Sequence, residues 1–156
     1  MKLLIKYTSS ILLSILVLVI TGCSGDKVNM DEEFPPSMPG FIMVDDTEYE
    51  MAQGNYRWEK KEGFSTHVAR TDAASPNQIA ENVEAIKIPP NTKLTIIVEE
   101  KPALTLYQWN EDGGKKAMTL TDHSFSVPTE EGRYIYEVLA EWKNGEVSYT
   151  IVVEVE

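Results

Sequence analysis

The stretch YIYEVLAEWKNGEVSYTIVVEV, residues 134–155, carries the clearest secondary-structure signal of this chain. Every second residue of Tyr134–Trp142 is apolar or aromatic, and so is every second residue of Val147–Val155. A period of two places these side chains on one face of each strand, which predicts that this face packs on a core. Asn144-Gly145, between the two runs, is a dipeptide that suits a type I′ hairpin turn. The stretch therefore predicts an antiparallel β-hairpin with one buried face.

Shorter runs rich in β-branched and aromatic residues, separated by turn residues, extend this pattern upstream. The clearer candidate strands are Lys93–Val98, Ala103–Trp109, Lys115–Leu120 and Ser124–Val127, and the weaker ones are Thr47–Met51, Asn55–Glu59, Phe64–Ala69 and Val83–Ile88. One segment, Ser75–Ala80, has helical character, because Ser75 suits the N-cap and Pro76 the first turn. Many short strands with one brief helix predict an all-β sandwich or barrel.

The segment PTEEGRYIYEV, residues 128–138, leads into the hairpin through a proline, a glycine and an alternating tyrosine strand. It resembles the approach to the penultimate strand of bacterial immunoglobulin-like domains. That resemblance implies an immunoglobulin-like antiparallel β-sandwich, with Trp109 as a core tryptophan and Tyr134 in a tyrosine corner. The chain departs from the family in having no cysteine pair. The match covers residues 83–156 and leaves residues 41–82 as an extra N-terminal β segment.

The N-terminus combines two basic residues, Lys2 and Lys6, an apolar run over residues 11–20, and the sequence Ile20-Thr21-Gly22-Cys23. The apolar run is too short for a membrane-spanning helix, which needs about 20 apolar residues. An aliphatic residue and two small residues before the only cysteine resemble the lipobox of bacterial lipoprotein signal peptides. The resemblance implies cleavage after Gly22 and a diacylglyceryl lipid on Cys23. An ordinary cleaved secretory signal is the alternative.

On this interpretation residues 1–22 are a signal peptide, and the protein is held by its lipid on the extracytoplasmic face of the bacterial cell membrane. Residues 23–40, rich in proline and acidic side chains, predict a flexible tether to a β-sandwich domain over residues 41–156. Removal of residues 1–22 leaves 12 basic and 25 acidic residues, a net charge of −13. Phosphates repel such a surface, which argues against nucleic acid as a partner and against a second, electrostatic contact with the membrane.

The chain offers few groups for catalysis, because His67 and His123 are its only histidines. The sequence has no nucleophile elbow, zinc-protease motif or phosphate-binding glycine loop, and its one thiol is the expected lipid site. A zinc ion held by both histidines with Asp72 and Asp122 would require the fold to bring these residues together. We therefore predict no enzymatic activity, no catalytic residue, no metal and no cofactor apart from the covalent lipid.

Aromatic residues favour binding as the function, because the chain has 14 of them, more than one small core needs. Tyr56 and Trp58, at alternate positions of a predicted strand, and Trp109 are the candidate anchors for an envelope protein, a peptide or a glycan. The alternative for Tyr56 and Trp58 is a structural role, in which they seal the N-terminal segment onto the sandwich.

Three functional classes stay open, and each predicts a different geometry. A binding module needs a flat or concave aromatic patch. An inhibitor or accessory subunit of an envelope enzyme needs a long projecting loop, for which residues 70–82 are the candidate. An enzyme with an unrecognised site needs His67 or His123 beside a carboxylate in a cleft.

Overall fold

The structure, a computed structural model, describes residues 33–156. The predicted signal peptide, Cys23 and most of the predicted tether lie outside the described residues. The strands are β1 (Gly40–Val44), β2 (Thr47–Glu50), β3 (Ala52–Glu62), β4 (Ser65–Arg70), β5 (Ile86–Ile88), β6 (Lys93–Val98), β7 (Ala103–Trp109), β8 (Lys115–Met118), β9 (Ser124–Ser126), β10 (Gly132–Trp142) and β11 (Gly145–Val155). A helix, α1 (Pro76–Ala80), lies between β4 and β5 and begins with a capping box formed by Ser75 and Gln78.

These strands form two sheets that share one hydrophobic core. The four-stranded sheet has the order β2-β1-β6-β9. The seven-stranded sheet has the order β4-β3-β11-β10-β7-β8, with β5 beside β11. The pairing is antiparallel except between β5 and β11, which are parallel. The predicted all-β sandwich is therefore confirmed.

The strands of the N-terminal segment belong to both sheets. β1 and β2 extend the smaller sheet beside β6, whereas β3 lies directly against β11 in the larger one. The segment is therefore part of both layers rather than an addition outside them. The core also includes residues of the predicted tether, because Phe34 packs on it and Met38 is buried. The Tyr149 hydroxyl donates a hydrogen bond to the Met38 carbonyl oxygen at 2.7 Å.

The β10–β11 hairpin lies in the middle of the larger sheet and supplies much of the core. Tyr136, Val138 and Ala140 of β10 are completely buried, and the Tyr136 ring contacts Phe125 of the smaller sheet. Alternate residues of β11 are buried on the same face, as the sequence pattern predicts. The outer face of β11 is also buried in its middle, where α1 packs on it. β11 is thus the most enclosed strand of the fold.

The hairpin turn differs from the predicted one by a single residue. Lys143 and Asn144 form the turn, and Gly145 already pairs with Trp142 as the first residue of β11. None of these residues has a positive φ, so the turn is not of type I′. Packing requires the glycine instead, because a Cβ at Gly145 would overlap the Cε3 and Cδ2 atoms of Trp58.

The two expectations from the immunoglobulin-like resemblance have different outcomes. The Tyr134 hydroxyl donates a hydrogen bond to the Glu130 carbonyl oxygen at 2.9 Å, the contact that a tyrosine corner would require. The expectation of a core role for Trp109 was wrong. Leu106 of the same strand is completely buried, and Trp109, an odd number of residues further on, lies on the opposite, outer face. Trp58 is the tryptophan that fills the core.

Candidate binding surface

Tyr56 and Trp58, the strand pair that the sequence singles out for binding, face inward from β3. The Trp58 side chain is 2% exposed, and its ring lies 5.1 Å from the ring of Trp142, with 38° between the planes. Tyr56 is half-buried and packs on the same core. No face of the Trp58 ring is left for a ligand, so the structural alternative describes this pair. We therefore leave both residues out of the candidate surface.

Trp109 is the candidate anchor that reaches the protein surface. It lies with Tyr107 on the outer face of the larger sheet, and both side chains are half-buried. The Trp109 Nε1 donates a hydrogen bond to Glu137 Oε2, on the neighbouring strand β10, at 3.0 Å. This bond holds the edge of the indole ring against the sheet and limits its rotation.

Lys115, on β8, joins the two rings to the same carboxylate. Its Nζ donates to Glu137 Oε2 at 3.0 Å, and it lies 4.1 Å from the ring centroid of Tyr107 and 5.4 Å from that of Trp109. Cation–π attraction therefore adds to the ion pair. The Glu137 side chain is only 13% exposed, and the two donors compensate for its loss of water. We call Tyr107, Trp109, Lys115 and Glu137 the tryptophan platform.

The segment that contains α1 borders the tryptophan platform. Asn77 Nδ2 donates to the carbonyl oxygen of Asn110, the residue after Trp109, at 2.8 Å. The Arg133 guanidinium donates to the Ala80 carbonyl oxygen, which attaches the end of the helix to β10. Residues 70–82 are thus held on the sheet and do not project as the loop of an inhibitor would.

The two histidines lie on different parts of the fold. His67 Nε2 is 3.5 Å from Glu62 Oε2 on the β3–β4 hairpin, where both side chains are more than half exposed. His123 is in the turn before β9, beside Asp122, and both residues have left-handed backbone conformations. Within residues 33–156, no group of three His, Cys, Asp or Glu residues is placed to hold a metal ion. The described residues therefore do not form the zinc arrangement that includes Asp72.

A cleft of about 310 Å³ opens between β2 and the middle of β11. Its floor is apolar and its rim carries three carboxylates; the lining residues are Ile42, Glu48, Tyr49, Glu50, Met51, Val83, Glu84, Ile86, Thr150, Ile151 and Val152. None of the three glutamates forms an ion pair or a side-chain hydrogen bond with another described residue. Sites that fix a ligand rely on polar atoms held in place beforehand. The tryptophan platform is therefore the better candidate.

The sequence analysis does not single out three members of the tryptophan platform, and of these only Tyr107 has a local signal. Tyr107 is two residues from Trp109, so the period of two places them on one face of β7. Lys115 and Glu137 join them through strand register, because Lys115 pairs with Trp109 and Glu137 with Tyr107. Those pairings connect residues 6 to 30 positions apart, and the sequence does not specify them.

No protein family, curated protein or solved structure matches this chain. Among residues 33–156, no helix is long and apolar enough to cross a membrane. The choice of function therefore rests on the geometry of the tryptophan platform and on the sequence of the N-terminus.

Proposed function

We propose that this protein is a lipid-anchored, extracytoplasmic binding module that recognises an envelope glycan through the tryptophan platform. The observation that carries the proposal is the pair of half-buried rings, Tyr107 and Trp109, held beside an ion pair on the outer face of the sheet. Sugar rings have apolar C–H faces that pack on aromatic faces, and their hydroxyl groups need donors and acceptors close by. The platform offers both kinds of contact.

The side chains of the tryptophan platform are held in place before any ligand binds, which supports the same function. Lys115 has a long side chain that would lose much rotamer freedom on binding, but its bond to Glu137 already restricts it. The hydrogen bond from Trp109 to Glu137 restricts the indole in the same way. A ligand that binds a surface ordered in advance loses less free energy to side-chain ordering. The segment that contains α1 borders the tryptophan platform and gives a glycan a second surface to contact.

The lipid anchor is proposed on the sequence Ile20-Thr21-Gly22-Cys23. A tethered domain meets envelope components at a high effective concentration, so a weak contact of a few residues is enough for function. The inhibitor and enzyme alternatives have less support. Residues 70–82 lie on the sheet, and neither histidine is enclosed with a carboxylate.

Binding of the full chain to purified cell-wall glycan strands tests the proposal, with co-sedimentation for insoluble material and fluorescence titration for soluble fragments. Trp109→Ala removes the larger ring and should weaken binding at least about tenfold. Glu137→Gln keeps the shape of the side chain but removes the charge that orients Trp109 and Lys115. It should weaken binding by a smaller factor, about threefold.

Tyr49→Ala is the matched control, because Tyr49 is an aromatic residue of the smaller sheet that is 38% exposed. This variant should bind within about twofold of the wild type. Circular dichroism must show that all variants are folded. If Trp109→Ala and Tyr49→Ala bind the glycan equally well, the tryptophan platform is not the binding site.

A further inference from the structure

The β3–β4 hairpin extends beyond its neighbours in the larger sheet. The last residue of β3 that pairs with β11 is Trp58, opposite Gly145, so residues 60–62 pair with β4 alone. Every residue of β4 except Ala69 is exposed. Phe64, between the two strands, is fully exposed. We call residues 57–70 the edge arm.

Among the described sheets, β4 is the edge strand with the least protection against pairing with another chain, because Arg70 at its end is its one permanently charged residue. Natural proteins protect edges with short strands, with lysines or other charges, and with proline or bulges. β2 has four residues with two glutamates, β8 has four with two lysines, and β5 and β9 have three residues each. β4 has six residues and contains no proline, lysine or acidic side chain. Its outer edge therefore presents backbone donors and acceptors to an added strand.

The charge of the edge arm is opposite to that of the rest of the domain. The arm carries four basic residues and two acidic ones, a net charge of +2. The other residues of 33–156 carry seven basic and 20 acidic side chains, a net charge of −13. An acidic partner is therefore attracted to the edge arm and repelled by the remaining surface, which directs it to this end of the sheet.

Two arginines lie directly opposite each other on the outer face of the edge arm. Arg57 of β3 pairs in register with Arg70 of β4, an arrangement of like charges that destabilises a sheet. Arg57 forms an ion pair with Glu59, whereas Arg70 forms none with the described residues. Val68, on the same face two residues earlier, is 50% exposed. A carboxylate beside Arg70 and an apolar side chain beside Val68 would complete this face.

We propose that β4 pairs with an extended acidic segment of a partner protein, which adds a strand to the edge of the larger sheet. Backbone hydrogen bonds along β4 hold the segment, and two of its residues, two positions apart on one face, place a carboxylate at Arg70 and an apolar group at Val68. Phe64 offers a further apolar contact at the tip of the arm. This site does not depend on the proposed glycan function, because the tryptophan platform lies at the other end of the same sheet.

Two other occupants of the edge fit less well. A second copy of this chain would bring together two edge arms of charge +2 and two domain bodies of charge −13, so both pairs of surfaces repel. An anionic membrane would be repelled by the domain body in the same way. It would also meet Glu62 beside Phe64, and the hydrogen bond and charge of Lys60 lower the pKa of Glu62, which keeps it ionised.

The test uses the full chain and a synthetic peptide of about eight residues with the repeat Glu-Thr-Val-Thr, which places glutamate and valine in turn on one face of the added strand. Fluorescence anisotropy of the labelled peptide should show binding that weakens as salt is added. Arg70→Glu should weaken the binding at least tenfold. Lys116→Glu makes the same change of charge on β8, the opposite edge of the sheet, and should change the affinity less than twofold.

A second measurement separates strand addition from simple charge attraction. The same peptide with N-methyl groups on successive residues keeps its charge but loses its backbone donors, so its binding should fall at least tenfold. Equal binding of the two peptides, an equal effect of Lys116→Glu and Arg70→Glu, or no binding of the acidic peptide overturns the proposal.

Two further experiments test a second copy of this chain and an anionic membrane as partners of the edge arm. Dimerisation in sedimentation experiments that Arg70→Glu abolishes, without any binding of the acidic peptide, would assign the edge to a second copy and overturn the proposal. Binding of the Cys23→Ser chain to phosphatidylglycerol vesicles that Phe64→Ser abolishes, again without peptide binding, would assign it to the membrane and also overturn it. Peptide binding with neither of these results supports the proposal.

Discussion

Gly145→Ala should destabilise the protein strongly, although the change adds a single methyl group at the start of a strand. The added Cβ would overlap the Cε3 and Cδ2 atoms of Trp58 and would lie 2.8 Å from the Arg57 carbonyl oxygen. Carbon atoms in contact are normally about 3.5–4.0 Å apart, so the ring or the strand must move by about 1 Å or more. The Trp58 ring is 2% exposed and rests on Trp142, which leaves it little room to move.

The size of the expected loss in the free energy of unfolding depends on the atoms that block the added methyl group. Extra methyl groups in well-packed cores cost about 1–3 kcal/mol, and the upper end applies because both a buried ring and a backbone oxygen are in the way. We therefore expect the free energy of unfolding to fall by about 3 kcal/mol. For a domain of this size that loss lowers the melting temperature by about 10 °C. Urea unfolding of the full chain, followed by circular dichroism, measures it as a lower midpoint with an unchanged slope.

Two further variants test whether the overlap with Trp58 causes the loss of stability. Gly114→Ala is the matched control, because a Cβ there would meet the exposed carboxylate of Asp112 at 3.2 Å, so the stability should change by less than about 0.5 kcal/mol. In a Trp58→Leu background the obstacle is smaller, so Gly145→Ala should cost at least about 1 kcal/mol less than in the wild type. The explanation fails if Gly145→Ala is as stable as Gly114→Ala, or if its cost is the same in both backgrounds.

Four other predictions concern two buried tyrosines and the lipid anchor. Tyr149→Phe should lower the free energy of unfolding by about 1–2 kcal/mol in urea titrations, because it leaves the buried Met38 carbonyl without its partner. Tyr136→Phe should be neutral or stabilising in the same assay, since the Tyr136 hydroxyl is buried without a hydrogen-bond partner among the described residues. Burial raises the pKa of Tyr149 to about 12, whereas an unfolded tyrosine ionises near pH 10. Between these pH values the unfolded chain loses a proton that the native protein keeps. The free energy of unfolding should therefore be unchanged below pH 10 and fall as the pH rises toward 12. Urea titrations at several pH values measure this fall. Cys23→Ser should abolish labelling by radioactive palmitate and release the protein from membranes; unchanged labelling would contradict the lipoprotein interpretation.

The sequence predicts the central hairpin well because local alternation and burial agree there. Every second residue of β10 and β11 is apolar, and these residues do face the core. The turn was misplaced by one residue because Asn144-Gly145 has the composition of a type I′ turn. The glycine is needed instead by Trp58, which lies 87 residues earlier in the chain. Such a contact across strands leaves no local trace in the sequence.

The three tryptophans show why the residues of the candidate site could not be predicted from local sequence. Each lies in a run with strand-like alternation, and alternation alone does not say which face of a strand meets the core. The sequence makes both Trp58 and Trp109 candidate anchors, with a structural role as the alternative for Trp58 and a core role for Trp109 implied by the resemblance. The structure buries Trp58 and places Trp109 on the outer face. Register decides the outcome, because Trp109 lies opposite Lys115 and Ile135, while Trp58 lies opposite Gly145 and Ala69.

The position of β11 between β3 and β10 also sets the order in which the protein can fold. β3 has no neighbour on its inner side until β11, about 90 residues later, has been made. β5 has no partner strand until then, and β10 pairs only with β7. Contacts between such distant segments slow folding, to milliseconds or seconds in comparable β domains. A chain made only as far as residue 144 cannot complete the larger sheet, because nothing then joins β3 to β10. Completion of the larger sheet is therefore delayed until β11 is available.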